Sequence, residues 1–289
     1  MRPVDPARGD ETRPVLTRRE RQRRATVDEI VDVGRSLLRE GREVTLRAVA
    51  ADMGFTPPAL YRYVDSAAAL SELLSNDIFV EVVGEMEAAG APYGDDDPAA
   101  QMVAAATAFR SWALDNKAEF QLVFATTSLT GERTAGSAAG RPRHPLARGG
   151  AEGATSGVEM FANFFGGIFT RLLRQRPFPV PGPEELDEEF VAVHAQPGDG
   201  GTDITALLGK DALGMIWLFE LSWAQLYGII TLEVFGHIRP RLIKSGALFR
   251  AVMRDIGSRA GMAEDWDRLS TVSQEVLDRR TRGRAAVAN

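Results

Sequence analysis

The chain has 289 residues, 34 basic against 40 acidic side chains, a formal charge of −6 and no cysteine. That length allows one or two domains with a self-standing core, and the lack of cysteine excludes a disulfide framework, cysteine-ligated zinc or iron–sulfur, and a thiol nucleophile. The three histidines, His144, His194 and His237, are too widely spaced for a histidine-rich metal site.

Residues 1–16 are rich in proline, arginine and aspartate and have no apolar periodicity, so they read as a disordered arm. No apolar run of the secretory type stands there, and a cytoplasmic chain is expected. Thr17 and Glu20 have capping-box spacing, and the helix they start carries Ile30, Val33, Leu37 and Leu38 until Gly41 stops it. Thr45 caps a short helix with Leu46, Val49, Ala50 and Met53 on one face, and Gly54 breaks it. Thr56 caps a third helix through Tyr63, with Pro57 at its first position, where a missing N–H does no harm. Ser66 caps a fourth, which turns Leu70, Leu73, Leu74 and Ile78 inward and fades near Gly90.

Helices are predicted over 99–116 and 118–128. Ser128 to Gly157, with seven glycines, four arginines and no aromatic residue, reads as a mobile linker. Helix resumes over 157–175, and a proline-rich connector leads to an acidic helix near 184–195. Two major helices, 203–236 and 241–260, are separated by Pro240, and residues 263–289 form a C-terminal tail with at most one short helix. No run alternates as a strand does, so the fold class is all-α. Gly214 to Gly236 is apolar enough to raise the membrane question, but Glu220, Gln225 and Glu233 interrupt it. A mid-bilayer carboxylate costs ~2.5–3.5 kcal/mol, so a helix buried in a protein interface is expected, with no membrane contact.

Charge is unevenly placed. Residues 1–65 hold 13 arginines and 11 acids, a net of +2, which leaves −8 for residues 66–289. Arg13, Arg18, Arg19, Arg21, Arg23 and Arg24 face one acid, Glu20. This pattern fits a local nucleic-acid contact, or else a solvated helix start. The two short helices either side of Gly54-Phe55 have the form of a helix-turn-helix, pinned to the first helix by Leu46, Val49, Met53, Leu60 and Val64. The plain alternative is a helical hairpin in a globular bundle. Thr56, Pro57, Ala59, Tyr61, Arg62 and Tyr63 are then the outward residues of the second short helix.

The order of a capped basic helix, TLRAVAADMGFTPPALYRYV and SAAALSELL resembles the TetR/AcrR family of transcriptional regulators over residues 20–75. Trp223 to His237 is similar to the family's Trp-His-Gly type of C-terminal domain, with Tyr227 where that pattern usually has histidine. The resemblance implies an N-terminal DNA-binding domain over 17–66 and a ligand-binding and dimerisation domain over 67–262. It implies a homodimer on double-stranded operator DNA, with a small apolar or aromatic effector and no cofactor. Thr45 and Arg47 would touch phosphate, as would Arg18 and Arg19 from the basic cluster. Thr56, Pro57 and Ala59 would face bases, Tyr61 and Arg62 would reach phosphate or a base edge, and Tyr63 would flank them. Ala67 replaces the lysine common at the start of the fourth helix, and the arginine-rich arm is the candidate to supply that phosphate contact.

Aromatic residues at helical spacing are usually core. As a pocket they would offer Phe109, Trp112, Phe124, Phe165, Phe169 and Trp217, with Glu220, Gln225 and Tyr227 as polar groups. His237, after a helix end, reads as a carbonyl cap, and Glu184 to Glu189 as a solvated face. No Ser–His–Asp grouping, phosphate loop or GxGxxG motif is present, so no enzyme is expected. The expected function is a repressor released by its effector; the alternatives are a constitutive regulator without effector, or a helical enzyme or small-molecule carrier.

Overall fold

The computed structural model describes residues 17–125, 157–176, 178–194 and 212–287. Its helices are α1 (Arg18–Arg39), α2 (Leu46–Asp52), α3 (Pro57–Leu60), α4 (Ala67–Gly90), α5 (Pro98–Asp115), α6 (Lys117–Phe120), α7 (Gly157–Gln175), α8 (Glu188–His194), α9 (Ala212–Val234), α10 (Pro240–Ser245), α11 (Ala247–Arg259) and α12 (Trp266–Val287). No strand occurs among the described residues. The chain is all-α, and it divides into two compact units between Asp77 and Ile78, inside α4 rather than at residue 66.

The first unit is built on local signals that agree with one another. Both arms of the capping box close at α1: Glu20 N–H donates to Thr17 Oγ1 at 3.2 Å, and Thr17 N–H to Glu20 Oε2 at 2.6 Å. Those bonds hold the Glu20 carboxyl below the usual carboxylate range. Ile30 and Leu37 of α1, Val49 of α2, Leu60 and Val64 are all fully buried, with Leu70, Leu73 and Leu74 of α4 closing the core. Each such side chain contributes about 1.5–3 kcal/mol on burial. One charge pair sits among them: Arg35 Nη1 donates to Asp77 Oδ2 at 2.7 Å, both side chains under a tenth exposed.

In the second unit α5 is buried along most of its length. Its alanines, among them Ala100, Ala104 and Ala108, let neighbouring helices approach. α12 packs along it through Leu269, Val272 and Val276, with the Thr107 and Ser273 hydroxyls 3.0 Å apart. α7 and α9 also pack on α5, and α11 packs on α9. Arg110 of α5 and Glu233 of α9 form a buried ion pair in this unit.

Several boundaries differ from the sequence reading. The helix expected over 241–260 is two, because Gly246 adopts φ +64°, a left-handed conformation that ends α10. The expected tail is instead the 22-residue helix α12. Its apolar contacts at positions 269, 272 and 276 are sparse within a charged run, so the inward stripe is thin. The acidic segment is a 3₁₀ turn, Pro183–Glu185, followed by α8. A π-helical turn, Gln121–Ala125, follows α6. The arm over 1–16, the linker over 128–156 and the expected helix start over 203–211 lie outside the described residues. Leu213–Val234 of α9 is long and apolar enough to cross a membrane, but Glu233 near its end is held inside the unit by Arg110.

Candidate nucleic-acid interface and ligand cavity

The first candidate surface is built by α2, the turn and α3. At α2 the Thr45 hydroxyl oxygen accepts the Ala48 N–H at 3.1 Å, leaving its own proton free to donate. Arg47 beside it is exposed. The turn closes through Gly54 N–H to Ala51 O at 3.1 Å and Phe55 N–H to Ala50 O at 2.8 Å, with Gly54 at φ +68°. Thr56 is the N-cap of α3, but its side chain makes no capping bond. Pro57 and Pro58 hold the first two helical positions, and the Ala59 N–H is taken by the Thr56 carbonyl at 2.9 Å.

Thr56, Pro57, Pro58, Tyr61 and Arg62 therefore form one solvent-facing surface above the buried Leu60 and Val64. It offers a hydroxyl and two pyrrolidine rings at a helix start, followed by a phenol and a guanidinium. Hydroxyls and guanidinia bind phosphates or base edges, and apolar rings meet thymine methyls. Arg18 and Arg19, in the first turn of α1, are exposed as well.

Two expected residues stand differently. Ala59 is half-buried rather than outward. Tyr63 is also half-buried, its ring 6.5 Å from that of Phe55 and covered by the Arg23 guanidinium at 5.5 Å. Pro58 and Arg23 escaped the sequence reading: the first is visible in the Pro-Pro pair, and the second joins Tyr63 through space and leaves no sequence signal.

The second candidate lies within the larger unit, where α5, α7, α9 and α11 leave a cavity of about 50 Å³. Phe219, Ser222, Trp223 and Leu226 form a single stripe of α9 along it, facing Met102 and Ala106 of α5, Phe165, Phe169 and Leu172 of α7, and Met253 and Ile256 of α11. Ala260 and Met262 complete the wall. Ser222 is the one polar side chain on it. The volume is well below the ~300–1,000 Å³ of a typical ligand pocket.

Comparison with known proteins meets this architecture over most of the chain. Residues 102–256 match the family model described as the C-terminal domain of tetracycline repressor-like proteins. The chain belongs to the TetR family of transcriptional regulators. It is 28% identical over 233 residues to the HTH-type transcriptional regulators Rv1816 of Mycobacterium tuberculosis and Mb1846 of Mycobacterium bovis, covering 78% of this chain and 88% of each relative. A crystal structure of regulatory protein SCO4313 shares the fold with a TM-score of 0.52 at 23% identity, covering 83% of this chain and 98% of that one.

In this TetR-family regulator the expected ligand residues divide. Phe165 and Phe169 line the cavity, while Phe109, Trp112, Phe124, Trp217, Glu220, Gln225 and Tyr227 do not. Phe109 and Phe124 stack in the core with Phe161, at centroid distances of 5.2–5.3 Å. Trp112 donates its indole N–H to Glu81 at 2.9 Å, and Tyr227 its hydroxyl to the Phe124 carbonyl at 2.8 Å. Trp217 packs edge-on against Phe190, and Glu220 lies 3.2 Å from His194 Nε2. Gln225 bonds Asp255 and Arg259. The His237 ring stacks on Phe235, and it is the His237 backbone N–H, not the ring, that closes α9 on the Leu232 carbonyl at 2.9 Å.

Proposed function

We propose that this regulator is a cytoplasmic homodimeric repressor that releases a palindromic operator when a small apolar effector enters the larger unit. The observation that carries the reading is the exposed start of α3, where Thr56 keeps its hydroxyl unspent beside Pro57, Pro58, Tyr61 and Arg62. A protein needing this helix only for packing has no use for such a surface. Two α3 helices related by two-fold symmetry read half-sites about one helical turn, ~34–36 Å, apart. Arg18 and Arg19 add phosphate contacts. Leu232, Phe235, Leu242 and Leu248, each 36–44% exposed around the end of α9, α10 and the start of α11, supply an apolar patch for a second copy.

Selection of bound duplexes from a random pool, together with solution mass at micromolar concentration, tests the reading. A palindromic consensus and a dimer are expected. A strict monomer, or a pool without enrichment, overturns it. A second reading, a constitutive regulator without effector, is favoured by the small size of the cavity. It predicts operator affinity unmoved by any ligand that enters the larger unit.

A further inference from the structure

The wall of the cavity and its rim differ in kind. Three methionines, Met102, Met253 and Met262, line the wall alongside aromatic and aliphatic groups, and Ser222 is its one hydroxyl. Such a wall has nothing to pair with a charge. Methionine side chains, unbranched and with three rotatable bonds, yield readily to a slender guest. A flat ring would instead have to part Phe165 from Trp223, whose centroids are 6.3 Å apart.

The rim holds a cation with donors to spare. Arg259 ends α11, next to Ala260 and one turn from Ile256, both of which line the cavity. Its guanidinium crosses to Gln225 of α9, which is flanked by the lining residues Ser222 and Leu226. Nη1 donates to Asp255 at 2.8 Å and Nη2 to Gln225 Oε1, while Nε is buried without a hydrogen-bond partner. Asp255, more than half exposed, is a partner that an incoming anion can displace. A buried cationic N–H without an acceptor is a rare arrangement, and a ligand carboxylate satisfies it with a charge-assisted bond.

Resting on the effector reading above, we infer that this cavity takes a medium-chain alkyl carboxylate, its chain in the methionine-lined slot and its carboxylate on Arg259. Bound ligand opens the slot by turning Met102, Met253 and Met262 aside. The guanidinium exchanges Asp255 for the ligand at the rim.

Titration calorimetry of the full chain with octanoate, decanoate and decan-1-ol, each below its aggregation concentration, tests the assignment. Decanoate should bind about tenfold or more tightly than decan-1-ol, the worth of a charge-assisted bond. It should exceed octanoate by about fourfold for each of the two added methylenes. Arg259→Gln should reduce decanoate to the affinity of the alcohol. Asp255→Asn, which removes the competing carboxylate, should tighten decanoate and leave the alcohol unmoved. These opposite movements separate head-group recognition from a structural role of the pair. Equal affinity for acid and alcohol, or indifference to Arg259→Gln, overturns the assignment. A preparation that binds operator DNA but neither ligand also overturns it while leaving the regulator reading intact, whereas failure to bind any duplex overturns the reading beneath it.

Discussion

Arg110 and Glu233 are joined by two hydrogen bonds in the interior of the larger unit, Nε to Oε2 at 2.6 Å and Nη2 to Oε1 at 3.0 Å, and the same Nη2 donates to the Ile243 carbonyl at 2.6 Å. The guanidinium also lies 5.1 Å from the Phe249 ring. One side chain of α5 thus fixes the end of α9 and the last turn of α10. Removing one partner strands a buried charge, so Glu233→Ala or Arg110→Ala should cost about 3–5 kcal/mol in urea unfolding. Replacing both together, Arg110→Met with Glu233→Leu, should cost clearly less than the two single changes summed. A single substitution costing under about 1 kcal/mol would show that the pair does not hold these helices.

Thr45 and Thr56 occupy equivalent N-cap positions, yet only Thr45 makes the capping bond. Thr45→Ala should lower stability by ~1 kcal/mol. Thr56→Ala should stay within about 0.5 kcal/mol of the parent and show its effect in operator affinity instead. Thermal unfolding and fluorescence anisotropy on the same preparations read the two effects separately, and an unchanged Thr56→Ala affinity counts against base contact there.

Tyr61 is 53% exposed and Arg62 is exposed too, so neither contributes much to folding. Alanine at either should weaken operator binding while the melting temperature holds. Each lost phosphate contact should lower the salt slope of the binding constant by ~0.9. Affinity and slope both unmoved in Arg62→Ala would contradict the assignment of α3 as the reading element.

Asp265 joins the end of α7 to α12: Arg176 bonds it at 2.6 Å and Arg268 lies at 3.5 Å. The hydrogen bond from Arg176 holds its carboxyl below the usual carboxylate range. A carboxyl whose folded value lies under its unfolded value of ~3.9 stabilises the chain above that value, and the contribution disappears as pH falls through the folded value. Asp265→Asn should therefore be less stable than the parent at neutral pH, and the two should converge on acidification. Parallel curves down to the acid limb would remove the pair from the acid response.

The first unit was legible because its signals are local. Thr17 with Glu20, Thr45, Gly54 and Ser66 each act within a few residues, and the caps at Thr17, Thr45 and Ser66 are formed in the fold. The Arg35–Asp77 pair was invisible because 42 residues separate its members. The break at Gly246 was missed because Pro240 already accounted for a stop. The cavity was misjudged for a different reason. Periodicity tells which side chains turn inward, not which inward space they leave unfilled, and Phe109, Phe120 and Phe124 fill their own space by stacking on one another.

A sensing site that rests nearly shut sets its own threshold. At about 50 Å³ the methionine-lined space is smaller than a guest it would recognise, so the receptive form is a minor population. Observed affinity is then the intrinsic affinity scaled by that population. A regulator so built ignores traces of its signal and answers only to accumulation. Trimming one wall residue, as in Met253→Ala, should make it respond to lower doses, with sensitivity gained in proportion to the share of molecules already open.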